Sequence, residues 1–277
     1  MKLDFTSSLM LSCHNEKHLK KIPELRADSI MLNLEDGVSI EQKPLALKLC
    51  AKYLQEYKDI DKMLVVRVNA LDDGGIDEIK YLNIYKPDAI RVPKINTKDD
   101  VLKVLEILDD DIDLHLSIET ASAWVNMSSL KIDTRVKCFY LGVLDLFADM
   151  GLSQKLIKLD NPTMLYMLSH FLITSKAIGI KPISFVYQDY KDESGFLKWI
   201  NLEKKMGFDA KGCISPRQVE IVNEVFKKDT LELEEAKEIV RLFELNVKKG
   251  ITGFSNEKYG FIDEPIYKGA LGTIAKG

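Results

Sequence analysis

Four ionisable residues in this chain stand at the ends of short apolar runs. Asp36 closes MLNLED, Arg67 ends MLVVR, Glu119 follows LHLSI, and Asp145 comes just after CFYLG. Carboxylates delivered by consecutive strands are hard oxygen donors of the kind Mg2+ binds. That ion keeps several waters and takes only one or two protein carboxylates alongside substrate oxygens. Glu119 and Asp145, after the fifth and sixth apolar runs, form the natural pair. Each of them alone reads as well as a first-turn carboxylate of a helix beginning near Thr120 or Leu146, where the helix dipole favours an anion. Taken together at successive strand ends, ligation is the stronger reading. Arg67 offers a planar fork of donors suited to a substrate carboxylate or enolate oxygen. Its alternative is a buried ion pair with Asp36 or Glu35. Lys94 in RVPK is placed similarly, but a snorkelling surface lysine explains it nearly as well.

Such groups meet only if the strands that carry them end on the same side. About eight apolar runs recur along the chain: SSLML, SIMLNL, MLVVRV, AIRVP, DLHLSI, VKCFYLG, ISFV and GCIS. They lack the polar alternation of a one-sided sheet, as expected for strands buried on both faces. Amphipathic stretches separate them, among them EQKPLALKLCAKYLQEY, TKDDVLKVLEIL, TMLYMLSHFLITSKAIG and GFLKWINLEKKMG, with Thr97 as a start signal and Gly179 and Gly207 as stops. Strand and helix in alternation predict a parallel sheet. With 277 residues in all, the expected fold is an α/β (β/α)8 TIM barrel over residues 1–228. A C-terminal helical extension follows over 229–277. In such a barrel the loops after the strands gather at one face, where active sites lie. The extension ends in a glycine-rich tail with Phe261, Ile262 and Tyr267, which we expect to be buried by docking on the barrel or on a neighbouring subunit.

Composition narrows the chemistry by exclusion. The net charge is −4, with 43 acidic and 39 basic side chains, so no basic excess is left to neutralise phosphates and nucleic acid is not an expected partner. Cys13, Cys50, Cys138 and Cys213 are far apart and form no Cys-x-x-Cys pair, which argues for reduced thiols in a cytoplasmic protein. No stretch approaches the roughly 18 uninterrupted apolar residues of a membrane span, and no export signal is expected. His14 and His18 do not form a His-Glu-x-x-His motif and read as surface groups. His115, within a strand, and His170, within an apolar helix, read as hydrogen-bonded packing residues. Gly74 and Gly75 lack the Gly-Lys-Ser/Thr ending of a phosphate loop. Asp109, Asp110 and Asp111 read as a solvated loop.

An ordered series of segments, LEDGVSIEQKPLA, VVRVN, IRVPK, SIETASAWVN, LGVLDLFADMGL and GFDAKGCISPRQVEIVNEVF, resembles the HpcH/HpaI aldolase and citrate lyase family over nearly the whole chain. The resemblance implies a homotrimeric or homohexameric barrel enzyme that uses Mg2+ to make or break a carbon–carbon bond. The substrate would be a small 2-oxo or 2-hydroxy acid or its CoA thioester. By motif, Glu119 and Asp145 match the metal ligands, with Glu119 also against the substrate. Arg67 matches the substrate-binding arginine, and Asp36 matches a supporting catalytic acid. Asp263 resembles a C-terminal acid that reaches a neighbouring active site, and reads equally as a surface turn residue before Pro265. Four positions depart from the family. Ser12 and Cys13 occupy a first turn that usually carries Pro-Gly, Ser215 replaces a histidine, and Asn33 stands where Asp is preferred. The departures touch thioester recognition and proton shuttling, and spare the metal pair. A CoA-thioester hydrolase on the same metal site, and a non-catalytic binding barrel, are the alternatives.

Overall fold

The computed structural model of the chain describes residues 5–227 and 230–276, which fall into two compact units, Met1–Phe226 and Lys227–Gly277. The expected boundary at residues 228 and 229 lies outside the described residues. The first unit is a (β/α)8 barrel. Its strands and main helices alternate: β1 (Ser7–Ser12), α1 (Glu16–Leu19), β2 (Ser29–Asn33), α2 (Lys43–Glu56), β3 (Met63–Arg67), α3 (Ile76–Leu82), β4 (Ala89–Val92) and α4 (Lys98–Leu105). There follow β5 (Asp113–Ile118), α5 (Ala121–Asn126), β6 (Val136–Leu141), α6 (Val143–Asp149), α7 (Pro162–Ala177), β7 (Lys181–Ile183), α8 (Glu193–Met206), β8 (Lys211–Cys213) and α9 (Pro216–Val225). All eight strands are parallel in the order β7-β6-β5-β4-β3-β2-β1-β8, and a single bridge between Ser184 and Lys211 closes the ring.

Period-two alternation divides each strand between two cores. Ile30, Leu32, Leu64, Val66, Ile90, Val92, Leu114 and Leu116 pack outward against the helices. Met31, Met63, Val65, Ala89, Cys138, Tyr140 and Ile183 fill the barrel's lower interior with Phe5. Continuing the inward parity upward brings Arg67, Arg91 and His115 into register across β3, β4 and β5. The barrel therefore changes from an apolar floor to a charged upper layer. At its seam, Lys211 and Glu203 are both fully buried and paired at 2.6 Å, with Ser184 Oγ donating to the same carboxylate oxygen at 2.7 Å.

Local signals account for most boundaries. Thr97 and Asp100 form a capping box at the start of α4, and Gly179 and Gly207, both at positive φ, follow α7 and α8. The seventh strand differs from expectation: it is KPI, beginning two residues before ISFV, and only Ser184 of the latter continues to β8. Burial of Ile183 and Phe185 makes the run apolar whether or not its backbone is paired. The four cysteines are buried and free. No helix among the described residues is long and apolar enough to cross a membrane.

His115 and His170 depart from the expected hydrogen-bonded packing. His170 is half-buried, stacked on Tyr166 and tilted against Trp124, while of the pair read as surface groups His18 is exposed and His14 half-buried. His115 is fully buried, and neither ring nitrogen has a hydrogen-bond partner among the described residues. Burial, reinforced by the Arg91 charge, pushes its pKa from 6.5 down to about 3. The unfolded chain therefore takes up this proton first as pH falls, and stability drops below pH 6.5 by about 1.4 kcal/mol per unit. Relative to wild type, His115→Leu is expected to lose about 2 kcal/mol less between pH 7 and pH 5, measured by denaturant unfolding at both pH values. Equal losses in the two proteins would contradict a neutral buried His115.

The second unit contains α10 (Thr230–Val247), an antiparallel hairpin of β9 (Phe254–Asn256) and β10 (Gly260–Ile262), and α11 (Glu264–Lys276). Composition gave no sign of the hairpin, whose strands are three residues each. Ile262 is buried, and Tyr267 stacks on Phe243 at 4.5 Å. Phe261, expected to be buried with them, is 60% exposed, because hairpin alternation points it away from Ile262.

Candidate active site

A cleft of about 360 Å3 opens at the C-terminal ends of the strands, and Asp36, Arg67, Arg91, Glu119, Asp145 and Gln188 contribute its polar lining. All four residues singled out from the strand ends thus meet in one cavity. They arrive differently. Glu119 is the first residue beyond β5 and is buried. Asp145 is exposed on the first turn of α6, not at the end of β6, because the chain becomes helical at Val143 rather than at Leu146.

Glu119 is held from two sides. The backbone N–H of Lys94 donates to Glu119 Oε1 at 2.8 Å, from a residue in the left-handed region at φ 52° that side chains rarely adopt. On the other side lies Gly142. A Cβ there would stand 2.6 Å from both Glu119 Cβ and Glu119 Oε2, so the bare glycine lets the β6–α6 turn lie against the carboxylate. Gly142→Ala is expected to displace Glu119 and lower turnover by about 100-fold, since misplacing a catalytic group by an ångström costs that much. Steady-state kinetics check this, and unchanged turnover would contradict the close approach.

Arg67 forms the buried ion pair that its sequence allowed. Its Nη2 pairs with Glu35 Oε2 at 2.7 Å and Asp36 Oδ2 at 3.4 Å, and its Nε donates to Asn33 Oδ1 at 2.8 Å. The fixed guanidinium also lines the cleft. Asn33 therefore has a structural use here as an acceptor, and its amide donates to the Asp36 carbonyl. Glu35 is buried, and burial raises its carboxyl pKa against the opposing pull of Arg67. Lys94 Nζ sits 3.7 Å from Glu35 Oε1 and is half-exposed, a rim position; Lys94 contributes its backbone more directly than its side chain.

Arg91 and Gln188 also line the cleft. Arg91 lies mid-strand in AIRVP, where inward parity and an arginine among apolar residues mark it. Gln188 comes from the β7–α8 loop, where no periodicity operates. Ser215 is a cap of α9: its Oγ accepts from Gln218 N at 3.2 Å. Ile214, its neighbour, lines the cleft.

The lining donors suit a hard dication. Glu119 and Asp145 supply carboxylate oxygens, no thiolate or imidazole among the described residues lines the cleft, and Gly142 keeps the approach to Glu119 Oε2 free of a Cβ. No group of three or more His, Cys, Asp or Glu side chains poised to hold a metal occurs among the described residues, so two carboxylates would leave most of the coordination shell to water and ligand.

Carboxylates and guanidiniums thus converge at the C-terminal rim of the barrel, where the active sites of such barrels lie. The family model for HpcH/HpaI aldolase/citrate lyase matches residues 6–216, and the chain belongs to that family. Among its relatives, the (3S)-malyl-CoA thioesterase of Cereibacter sphaeroides is 31% identical over 241 residues, 87% of this chain and 83% of that protein. The mitochondrial citramalyl-CoA lyase of Rattus norvegicus is 28% identical, over 94% of this chain and 82% of that one. The fold also matches the crystal structure of CitE from Mycobacterium tuberculosis in complex with magnesium, acetoacetate and coenzyme A. The TM-score is 0.79 at 21% identity, covering 100% of this chain and 99% of that one.

Proposed function

We propose that this protein is a Mg2+-dependent carbon–carbon lyase of the aldol or Claisen type, acting on a small 2-oxo or 2-hydroxy acid or its CoA thioester. The observation that carries the reading is the convergence of Glu119, Asp145 and Arg67 on one cleft at the mouth of the barrel. Glu119 and Asp145 would hold the ion, which when bound supplies a Lewis acid that polarises a ligand oxygen. Arg67 is immobilised by Asn33, Glu35 and Asp36, so its guanidinium binds an anionic group at little further cost in side-chain order. It then stabilises negative charge developing there as the bond breaks. Asp36, at the mouth, orients water or the ligand hydroxyl. Glu119 has a second task, forming the wall against which the ligand lies.

A thioester hydrolase on the same residues is the second reading, and the malyl-CoA thioesterase among the relatives favours it. Incubation with malyl-CoA and citramalyl-CoA separates the two. Release of glyoxylate or pyruvate with the thioester intact supports the lyase, whereas free thiol with no oxo acid overturns it.

We place the protein in the cytoplasm, in keeping with four free buried cysteines, as a homotrimer or homohexamer. In that assembly the unit Lys227–Gly277 packs on a neighbouring copy and Asp263 supplies an acid to its site. The exposed Phe261, Ile266 and Leu271 are apolar surface available for such packing. Truncation after Gly250 is expected to disrupt assembly or activity, read by light scattering and turnover, and a truncated protein that stays assembled and active contradicts it.

A further inference from the structure

Arg91 differs from the other cations around the cleft. It is 5% exposed and lines the cavity, yet among the described residues no carboxylate lies within ion-pairing distance of it. Arg67 has Glu35 and Asp36, and Lys94 has Glu35. The partners of Arg91 are neutral. Its Nε donates to Ser117 Oγ at 2.9 Å, its Nη1 approaches Met31 Sδ at 3.2 Å, and its Cζ sits 4.3 Å from the centre of the Tyr140 ring. A thioether is a weak acceptor and an aromatic face neutralises nothing. A guanidinium buried this way is costly unless an anion completes it, and the open side is the cleft.

Its depth sets what that anion is attached to. Arg91 is in register with Arg67, the last residue of β3, while Glu119 lies beyond the end of β5 and Asp145 on α6. A ligand whose oxygens face Glu119 and Asp145 therefore points its other end down toward β4. The geometry points to Arg91 as a specificity-determining residue that holds a second carboxylate of the ligand, so that the site selects dicarboxylic hydroxy or oxo acids over their monocarboxylic counterparts. This rests on the reading that Glu119 and Asp145 face the ligand's metal-binding end.

The test is calorimetric binding of (S)-malate and (S)-lactate, which differ by one carboxylate, at saturating Mg2+. Wild type is expected to bind malate at least ~10-fold more tightly than lactate. Arg91→Met is expected to lower malate affinity to the level of lactate and change lactate binding by no more than about 2-fold. Arg91→Lys, which keeps the charge without the planar fork, retains part of the preference. Should Arg91→Met fail to fold, wild type and Arg91→Lys carry the comparison. Equal affinity of wild type for the two acids, no binding of either, or parallel loss of both in Arg91→Met overturns the assignment of Arg91. Failure of the underlying reading is separate: it would show as malate binding that is unchanged without Mg2+ or in Glu119→Gln/Asp145→Asn.

Discussion

Replacing Glu119 by Gln together with Asp145 by Asn is expected to lower lyase turnover by ~10³-fold or more, with the melting temperature within a few degrees of wild type. The two substitutions preserve shape and remove charge. Gln retains an oxygen for the Lys94 N–H that now bonds Glu119, and Asp145 is exposed on the first turn of α6, so little packing is lost. What disappears is the pair of hard anionic donors, without which a Lewis acid is not held against the ligand. Steady-state kinetics with a thermal melt on the same sample decide the matter. A folded double variant with more than about a tenth of wild-type turnover would contradict the role given to the pair.

Lys211→Met is expected to lower the unfolding free energy by about 3–5 kcal/mol, the cost of leaving one member of a buried pair without its partner. Lys211 and Glu203 are both completely inaccessible, and Lys211 Nζ also donates to the Phe185 carbonyl at 2.8 Å. Burial already pushes the Glu203 carboxyl pKa up while Lys211 holds it down; removing the lysine leaves only the first influence. The location magnifies the effect, because β7 and β8 are joined by one bridge and this pair spans the same seam. Lys211→Met with Glu203→Leu is expected to recover most of the loss, since a buried pair can be exchanged for apolar groups of similar volume. Denaturant unfolding of both variants checks this, and a single variant as stable as wild type would contradict it.

How much of this was legible in the sequence depended on whether a local pattern encoded it. The barrel was, because eight runs buried on both faces alternate with amphipathic segments, and Thr97, Gly179 and Gly207 mark helix ends by local backbone chemistry. Asp36, Arg67, Glu119 and Asp145 were legible as a set because each closes or follows an apolar run. The start of α6 was not, since an apolar strand flows through Gly142 into an apolar helix without a polar break. Glu35 is marked in the sequence only as an alternative partner of Arg67, and the one mark of Arg91 is the alternation in AIRVP that turns it inward. The role of Gly142 depends on an approach between β5 and β6 that no spacing reveals. Nor does sequence say that Lys211 and Glu203, which read as a strand lysine and a helix-face glutamate, close the barrel together.

Titration of Mg2+ into the wild-type protein and into Glu119→Gln/Asp145→Asn, followed by calorimetry, bears most directly on the metal site from which the lyase chemistry follows. Wild type should bind one ion per chain, and the variant should bind it at least ~100-fold more weakly or without measurable heat. Equal affinities in the two proteins would contradict the metal assignment and the carbon–carbon chemistry built on it.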